Sequence, residues 1–132
     1  MLELARKEAA LVRPDADLRE GNAETLDFPD ESFDTVTCTL ALCTIPDDRA
    51  AVAEAMRVLR PGGRLVLLEH VRSPLLPVRL VERLLEPLFL RLEHDHLMRE
   101  PLDTVRAAGF VVEQLERSKL GIVERLAVRK PS

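Results

Sequence analysis

The stretch Val58-Leu59-Arg60-Pro61-Gly62-Gly63-Arg64-Leu65-Val66-Leu67-Leu68-Glu69-His70 decides the fold. A helix must stop before Pro61, whose ring clashes with the preceding turn and offers no amide. Gly62 and Gly63 turn the chain. Arg64 to Val71 then reads as a strand buried on both faces, ending on polar Glu69 and His70 at the sheet rim. Upstream, Val52, Ala55, Met56 and Leu59 recur at the helical interval, and Asp47 or Asp48 can cap that helix. Before it, Phe33 to Leu42 is dense in Thr, Val, Cys and Leu with no clean period, which predicts another strand buried on both faces. Strand, helix, strand in that order predicts a parallel unit.

The flanks extend the pattern. Met1 to Val12 is a helix with Leu2, Ala5, Ala9 and Val12 on one face, closed by Pro14. Asp17 to Glu20 is a short strand candidate, and Asn22 to Ser32 a loop. Residues 74–93 form a leucine-rich helix that Pro87 should kink or split. A helix from Pro101 to Ala108 stops at Gly109. Phe110–Ser118 and Ile122–Val128 alternate around Lys119-Leu120-Gly121, which predicts an antiparallel pair. The expected fold class is α/β: a mostly parallel sheet closed by an antiparallel hairpin.

Composition removes several classes of function. The 132 residues include no Trp or Tyr and four Phe, so base stacking has few platforms. A net charge of -4 argues against a phosphate-backbone binder and so against a nucleic-acid partner. The two cysteines, Cys38 and Cys43, form no metal or redox spacing and read as reduced packing residues of a cytoplasmic protein. No apolar run reaches the ~20 residues that span a bilayer.

Three further blocks carry a resemblance. They are Gly21-Asn22-Ala23-Glu24, Phe28-Pro29-Asp30-Glu31-Ser32-Phe33-Asp34-Thr35-Val36, and Thr39-Leu40-Ala41-Leu42-Cys43-Thr44-Ile45-Pro46-Asp47. With the Pro-Gly-Gly strand they resemble the later two-thirds of a class I S-adenosylmethionine-dependent methyltransferase of the type 11 group. The look is nearest to quinone-biosynthesis methyltransferases and to methyltransferase-like thiol methyltransferases; Glu69-His70-Val71 and Leu85-Glu86-Pro87 strengthen the second comparison. The family's N-terminal glycine-rich motif and its ribose-binding carboxylate have no counterpart in these residues. The resemblance therefore implies that 1–132 is a single partial domain holding an incomplete Rossmann-like sheet.

The same resemblance assigns roles. Asn22 stands where the family usually has Asp; its amide oxygen can still accept from the adenine amino group, and the Ala23 amide serves a ring nitrogen. Thr39 and Leu40 face the methionyl part of the cofactor. His70 is the candidate to take a proton from the acceptor; alternatively Glu69 orients a loop and His70 is a rim residue. Glu93, His94, Asp95 and His96 alternate like metal ligands, but nothing else in the chain completes a site, so no metal is expected. The implied cofactor is S-adenosylmethionine, bound weakly or not at all by this chain alone. The implied partner is a small lipophilic acceptor, a thiol or a quinone-like phenol. The stripe along 75–92 reads as a core cover, as a lid over that acceptor, or as a peripheral membrane contact. An open sheet edge beside Phe33–Leu42 would be met either by the Leu18 strand (Asp17 to Glu20) pairing directly with it or by a homodimer along that edge. The competing expectation is a non-catalytic methyltransferase-like remnant that acts as a binding or dimerisation module.

Overall fold

Pro61-Gly62-Gly63 does more than end a helix. In the computed structural model, which describes residues 2–70, 75–92, 100–118 and 123–132 (side chains of 89–92 excepted), it forms a wide bulge at the start of a long strand. Strand β2, Leu59–His70, pairs in parallel with β1, Phe33–Thr39; the register passes from Phe33↔Leu59 to Thr35↔Arg64 across the bulge. Gly62 takes φ 77, a left-handed conformation open to glycine, and its amide donates to the Lys130 carbonyl at 3.0 Å. Gly63 is close-packed: a Cβ there would lie 2.8 Å from the Arg60 carbonyl oxygen and 3.0 Å from that of Asp34.

Between them runs helix α2, Asp48–Val58, capped by Asp47, whose side chain accepts from the Ala50 amide at 3.0 Å. It buries Ala51, Val52, Ala55 and Val58 against the sheet. Helix α1 is Leu2–Val12, α3 is Leu76–Leu92, and α4 is Pro101–Ala107, followed by Gly109 at φ 94. Strands β3, Val111–Ser118, and β4, Val123–Arg129, form the expected antiparallel hairpin; the turn between them lies outside the described residues. β4 also pairs antiparallel with β2, giving the order β1-β2-β4-β3. The sheet is thus α/β as expected, with its parallel part confined to the β1–β2 pairing among the described residues.

The core lies on one face of the sheet. Leu65 and Leu67 of β2, Leu126 and Val128 of β4, and Val105 of α4 are buried there with Val52 of α2. Burying such side chains stabilises the fold by about 1.5–3 kcal/mol each.

Three expectations change. Asp17–Glu20 is not a strand; its only neighbouring sheet-like contact is an isolated bridge between Asn22 and Thr25. Neither β1 nor β2 is buried on both faces: Val36 and Cys38 of β1 and Leu65 and Leu67 of β2 face the core with α2 and α4, while the residues between them are more exposed because the core lies on one face of the sheet. Helix α3 runs through Pro87 without splitting, and its apolar stripe covers no core, for Leu80 is 62% and Leu84 71% exposed while Glu82 is 8% exposed. None of the described helices is long and apolar enough to cross a membrane.

Candidate functional site

β1 and β2 run in the same direction, so their carboxyl ends open on one rim. That rim is the usual ligand position in an open α/β sheet. Leu40 follows β1 with φ 50, a left-handed conformation that is uncommon for a side chain with a Cβ. Its amide donates to the Leu68 carbonyl at 2.7 Å, and the chain turns into a short 3-10 helix, Leu42–Thr44.

Glu69 holds this turn. The carboxylate is 1% exposed, and its Oε1 accepts from the amides of Ala41 (3.2 Å) and Leu42 (3.1 Å) and from the Cys38 thiol (3.2 Å). Burial, and then the Glu69 charge, push the Cys38 thiol up to about 12, so it is a neutral S–H donor at physiological pH. Glu69 Oε2 is buried with no hydrogen-bond partner among the described residues. Orienting a loop was one of the two readings of Glu69 in the sequence, and this is the loop.

The segment 22–32 forms the other wall, fixed from α2. Glu54 accepts from the Leu26 amide at 2.7 Å. Arg57 donates to the carbonyls of Leu26 (3.0 Å) and Phe28 (2.8 Å) and to Asp30 (2.6 Å), and it pairs with Glu54 at 2.8 Å. The Arg57 hydrogen bonds, seconded by the Leu26 amide, hold the Glu54 carboxyl down at about 2. Phe28 and Phe33 meet edge to face with centroids 5.0 Å apart. The cleft along this wall has a volume of about 520 Å³ and is lined by Arg19, Gly21, Asn22, Ala23, Phe28 and Phe33 among others. That size, with aromatic walls and a polar edge, falls in the range of small-ligand sites.

The two walls meet at Ala23. It lines the larger cleft and also a second, apolar one of about 220 Å³, shared with Cys38, Ala41 and Leu42. Asn22 sits on the larger cleft, and its Oδ1 already accepts from the Glu24 amide at 2.9 Å; the oxygen's second lone pair is what a ligand could use. Thr39 pairs with Leu68 in the register, so Thr39, Leu68 and His70 share the sheet face opposite Cys38 and Glu69. His70 is half-buried at the end of β2. The structure thus brings Ala23 to the turn, keeps Asn22 on the adjoining larger cleft, and sets Thr39 and His70 on the other face of the sheet, with Leu40 following β1. Among the described residues no cluster of His, Cys, Asp and Glu could hold a metal; residues 93–96 lie outside them. The Glu54–Arg57 clamp was not foreseen. Its only sequence signal is an i, i+3 pair of opposite charge on a helix, which is too common to be diagnostic.

The resemblance read from the motifs is matched by direct comparison. The profile of the methyltransferase domain family covers residues 1–67, and the chain belongs to that family. A demethylmenaquinone methyltransferase of Deinococcus radiodurans is 48% identical over 69 residues, 52% of this chain and 29% of the relative. The thiol S-methyltransferase TMT1B of Rattus norvegicus is 40% identical over 89 residues, 66% of this chain and 36% of the relative. The chain therefore spans about a third of the length of these relatives. Among solved structures, a SAM-dependent methyltransferase of Thermotoga maritima shares the fold with a TM-score of 0.76 at 24% identity, over 98% of this chain and 69% of its own.

Proposed function

We propose that this domain takes part in S-adenosylmethionine-dependent methyl transfer to a small lipophilic acceptor, a thiol or a quinone-like phenol. The observation that supports it most is the approach of Ala23, next to Asn22 on the larger cleft, to Ala41 and Leu42 of the turn at the carboxyl end of β1. The residues fit the adenine end of the cofactor: a cleft with aromatic walls, an amide oxygen at Asn22 and a backbone at Ala23 able to approach a ring edge. They include no glycine-rich turn after a strand and no ribose carboxylate. S-adenosylmethionine, when bound, supplies an electrophilic methyl group on a sulfonium. The chain's residues then have the tasks of orientation and water exclusion. Asn22 and Ala23 hold the adenine edge. Thr39 and Leu40 face the methionyl end. His70 accepts the proton that a thiol or phenol loses as it is methylated. The exposed leucines of α3 supply an apolar surface for the acceptor, either as a lid or against the membrane in which such acceptors partition. We place the protein in the cytoplasm, in peripheral contact with that membrane.

Nuclear magnetic resonance titration of the 132-residue chain with millimolar S-adenosylhomocysteine tests this. Shifts at Asn22–Ala23 and at Thr39–Leu42 are expected. No shift at either place would favour the other reading, a methyltransferase-like binding or dimerisation module without catalysis. Methylation of polar acceptors alone in a substrate screen would count against the acceptor class.

A further inference from the structure

We propose that Glu69 is a positioning residue for the methionyl end of the cofactor: it holds the Leu40–Leu42 turn in the conformation that faces that end, and touches no ligand itself. The inference rests on the cofactor reading above and goes further by naming the group that sets the geometry.

The turn is anchored from β2 twice. Leu40, in a left-handed conformation uncommon for a residue with a Cβ, donates its amide to the Leu68 carbonyl at 2.7 Å. The amides of Ala41 and Leu42 both donate to a single Glu69 carboxylate oxygen, which also accepts from the Cys38 thiol. That oxygen belongs to the last residue but one of β2, so the strand that pairs with β1 also fixes the turn that leaves it. Charge-assisted bonds from two backbone amides to one carboxylate are roughly twice as strong as neutral ones. Glu69 lies on the sheet face opposite His70 and next to the apolar cleft lined by Ala23, Cys38, Ala41 and Leu42. It can therefore shape the methionyl side without entering the 520 Å³ cleft, which has no Glu69 in its lining.

The two halves of the cofactor separate this role from a general structural one. S-adenosylhomocysteine carries both the adenosine and the amino-acid end; methylthioadenosine carries the adenosine end alone. Affinities of both are measured by titration on the full 132-residue chain, for the wild type, Glu69→Ala and Glu69→Gln. Glu69→Ala is expected to weaken S-adenosylhomocysteine about tenfold or more and to leave methylthioadenosine within twofold. Glu69→Gln keeps the accepting oxygen and is expected to restore most of the loss. Equal weakening of both ligands, or no rescue by Gln with the fold intact, overturns the proposal. Binding of neither ligand by the wild type instead removes the cofactor reading, and the proposal with it. If Glu69→Ala does not fold, the comparison rests on Glu69→Asp, which keeps the charge but withdraws the accepting oxygen by one methylene from the Ala41 and Leu42 amides. It is expected to weaken S-adenosylhomocysteine several-fold and to leave methylthioadenosine within twofold, and equal weakening of both ligands, or of neither, overturns the proposal.

Discussion

Glu69 of β2 and Glu124 of β4 stand directly opposite each other in the antiparallel register, both 1% exposed, each with one carboxylate oxygen that has no hydrogen-bond partner among the described residues. Cross-strand neighbours on one face lie within about 5.5 Å at Cβ, and like charges so placed repel. The structure tolerates the pair because each carboxylate is partly compensated elsewhere. Glu69 has the turn amides and the Cys38 thiol; Glu124 has Arg117 at 2.8 Å, which reaches on to Glu100 at 3.3 Å.

Removing that compensation should be costly. Arg117→Met leaves the buried Glu124 charge facing Glu69, and a loss of about 3 kcal/mol is expected, the scale of breaking one partner out of a buried ion pair. Glu124→Gln in the same background should recover most of it. Urea unfolding of the two single variants and the double variant gives the coupling; strict additivity would show that Arg117 and Glu124 do not depend on each other.

The Pro-Gly-Gly bulge has a sharper requirement at its second glycine than at its first. Gly63→Ala drives a Cβ into the carbonyl oxygens of Arg60 and Asp34, both backbone, with Leu59 at 3.0 Å as well. A destabilisation of about 2 kcal/mol is expected, in the range of an overpacked core. Gly62→Ala meets only the Ser132 hydroxyl oxygen, at an ordinary 4.0 Å, but must adopt φ 77, so it should cost about 1 kcal/mol. Thermal melts that ranked the two the other way would contradict the close packing described at Gly63.

Acid stability should report the Glu54–Arg57 clamp. The folded Glu54 carboxyl is held at about 2, below its ordinary 4.5, first by Arg57 and then by the Leu26 amide. A carboxyl depressed on folding adds stability that is complete above 4.5 and disappears as the pH falls toward 2. Glu54→Gln should therefore lower stability at neutral pH and flatten the fall between those two values. Unfolding curves of both proteins across that window would settle it; parallel pH profiles would remove Glu54 from the account.

Much of this was legible in the sequence because local signals and tertiary structure agree. Asp47 as cap, Pro61 as stop and Gly109 as helix end all act within a few residues, whereas the alternation expected of Val112 and Leu115 is not seen, for a bulge between Val112 and Gln114 interrupts β3 and Leu115 is exposed. The Leu18 segment failed for the opposite reason. Its strand character needs a neighbour to pair with, and β1 offers it none of its hydrogen bonds. The stripe on α3 was visible as leucines at helical spacing, but spacing says nothing about what covers it. Of the candidate site, motif order located the loop that carries Asn22 and Ala23 and the turn after β1. The Glu69–Glu124 opposition depends on register across a hairpin and has no local signature.

Cofactor binding by the 132-residue chain should be weak. In the proposed reading Asn22 and Ala23 would hold the adenine edge and the Leu40 turn would face the methionyl end, and the sequence has no glycine-rich turn after a strand to cradle what lies between. Calorimetry with S-adenosylhomocysteine should give an affinity poorer than micromolar, and micromolar binding would refute this. Asn22→Ala should weaken whatever binding exists by about 1 kcal/mol, the scale of one neutral hydrogen bond.

The last expectation concerns assembly. β1 is an edge of the sheet among the described residues, with β2 on one side of it. After Asp34 it carries Thr35, Val36, Thr37, Cys38 and Thr39, with no lysine, proline or inward charge to discourage another strand. The Leu18 segment does not cover it. Pairing of two chains along β1 would satisfy the exposed amides and carbonyls and would shield Val36 and Cys38. The protein is therefore expected to associate as its concentration rises, with a melting temperature that rises in step. Thr37→Lys places a charge in the middle of the exposed edge and should return the protein to a monomer of lower melting temperature. Light scattering and thermal melts over a hundredfold concentration range make the measurement. A wild-type monomer whose melting temperature is high and independent of concentration would show that the β1 edge is stable without a partner.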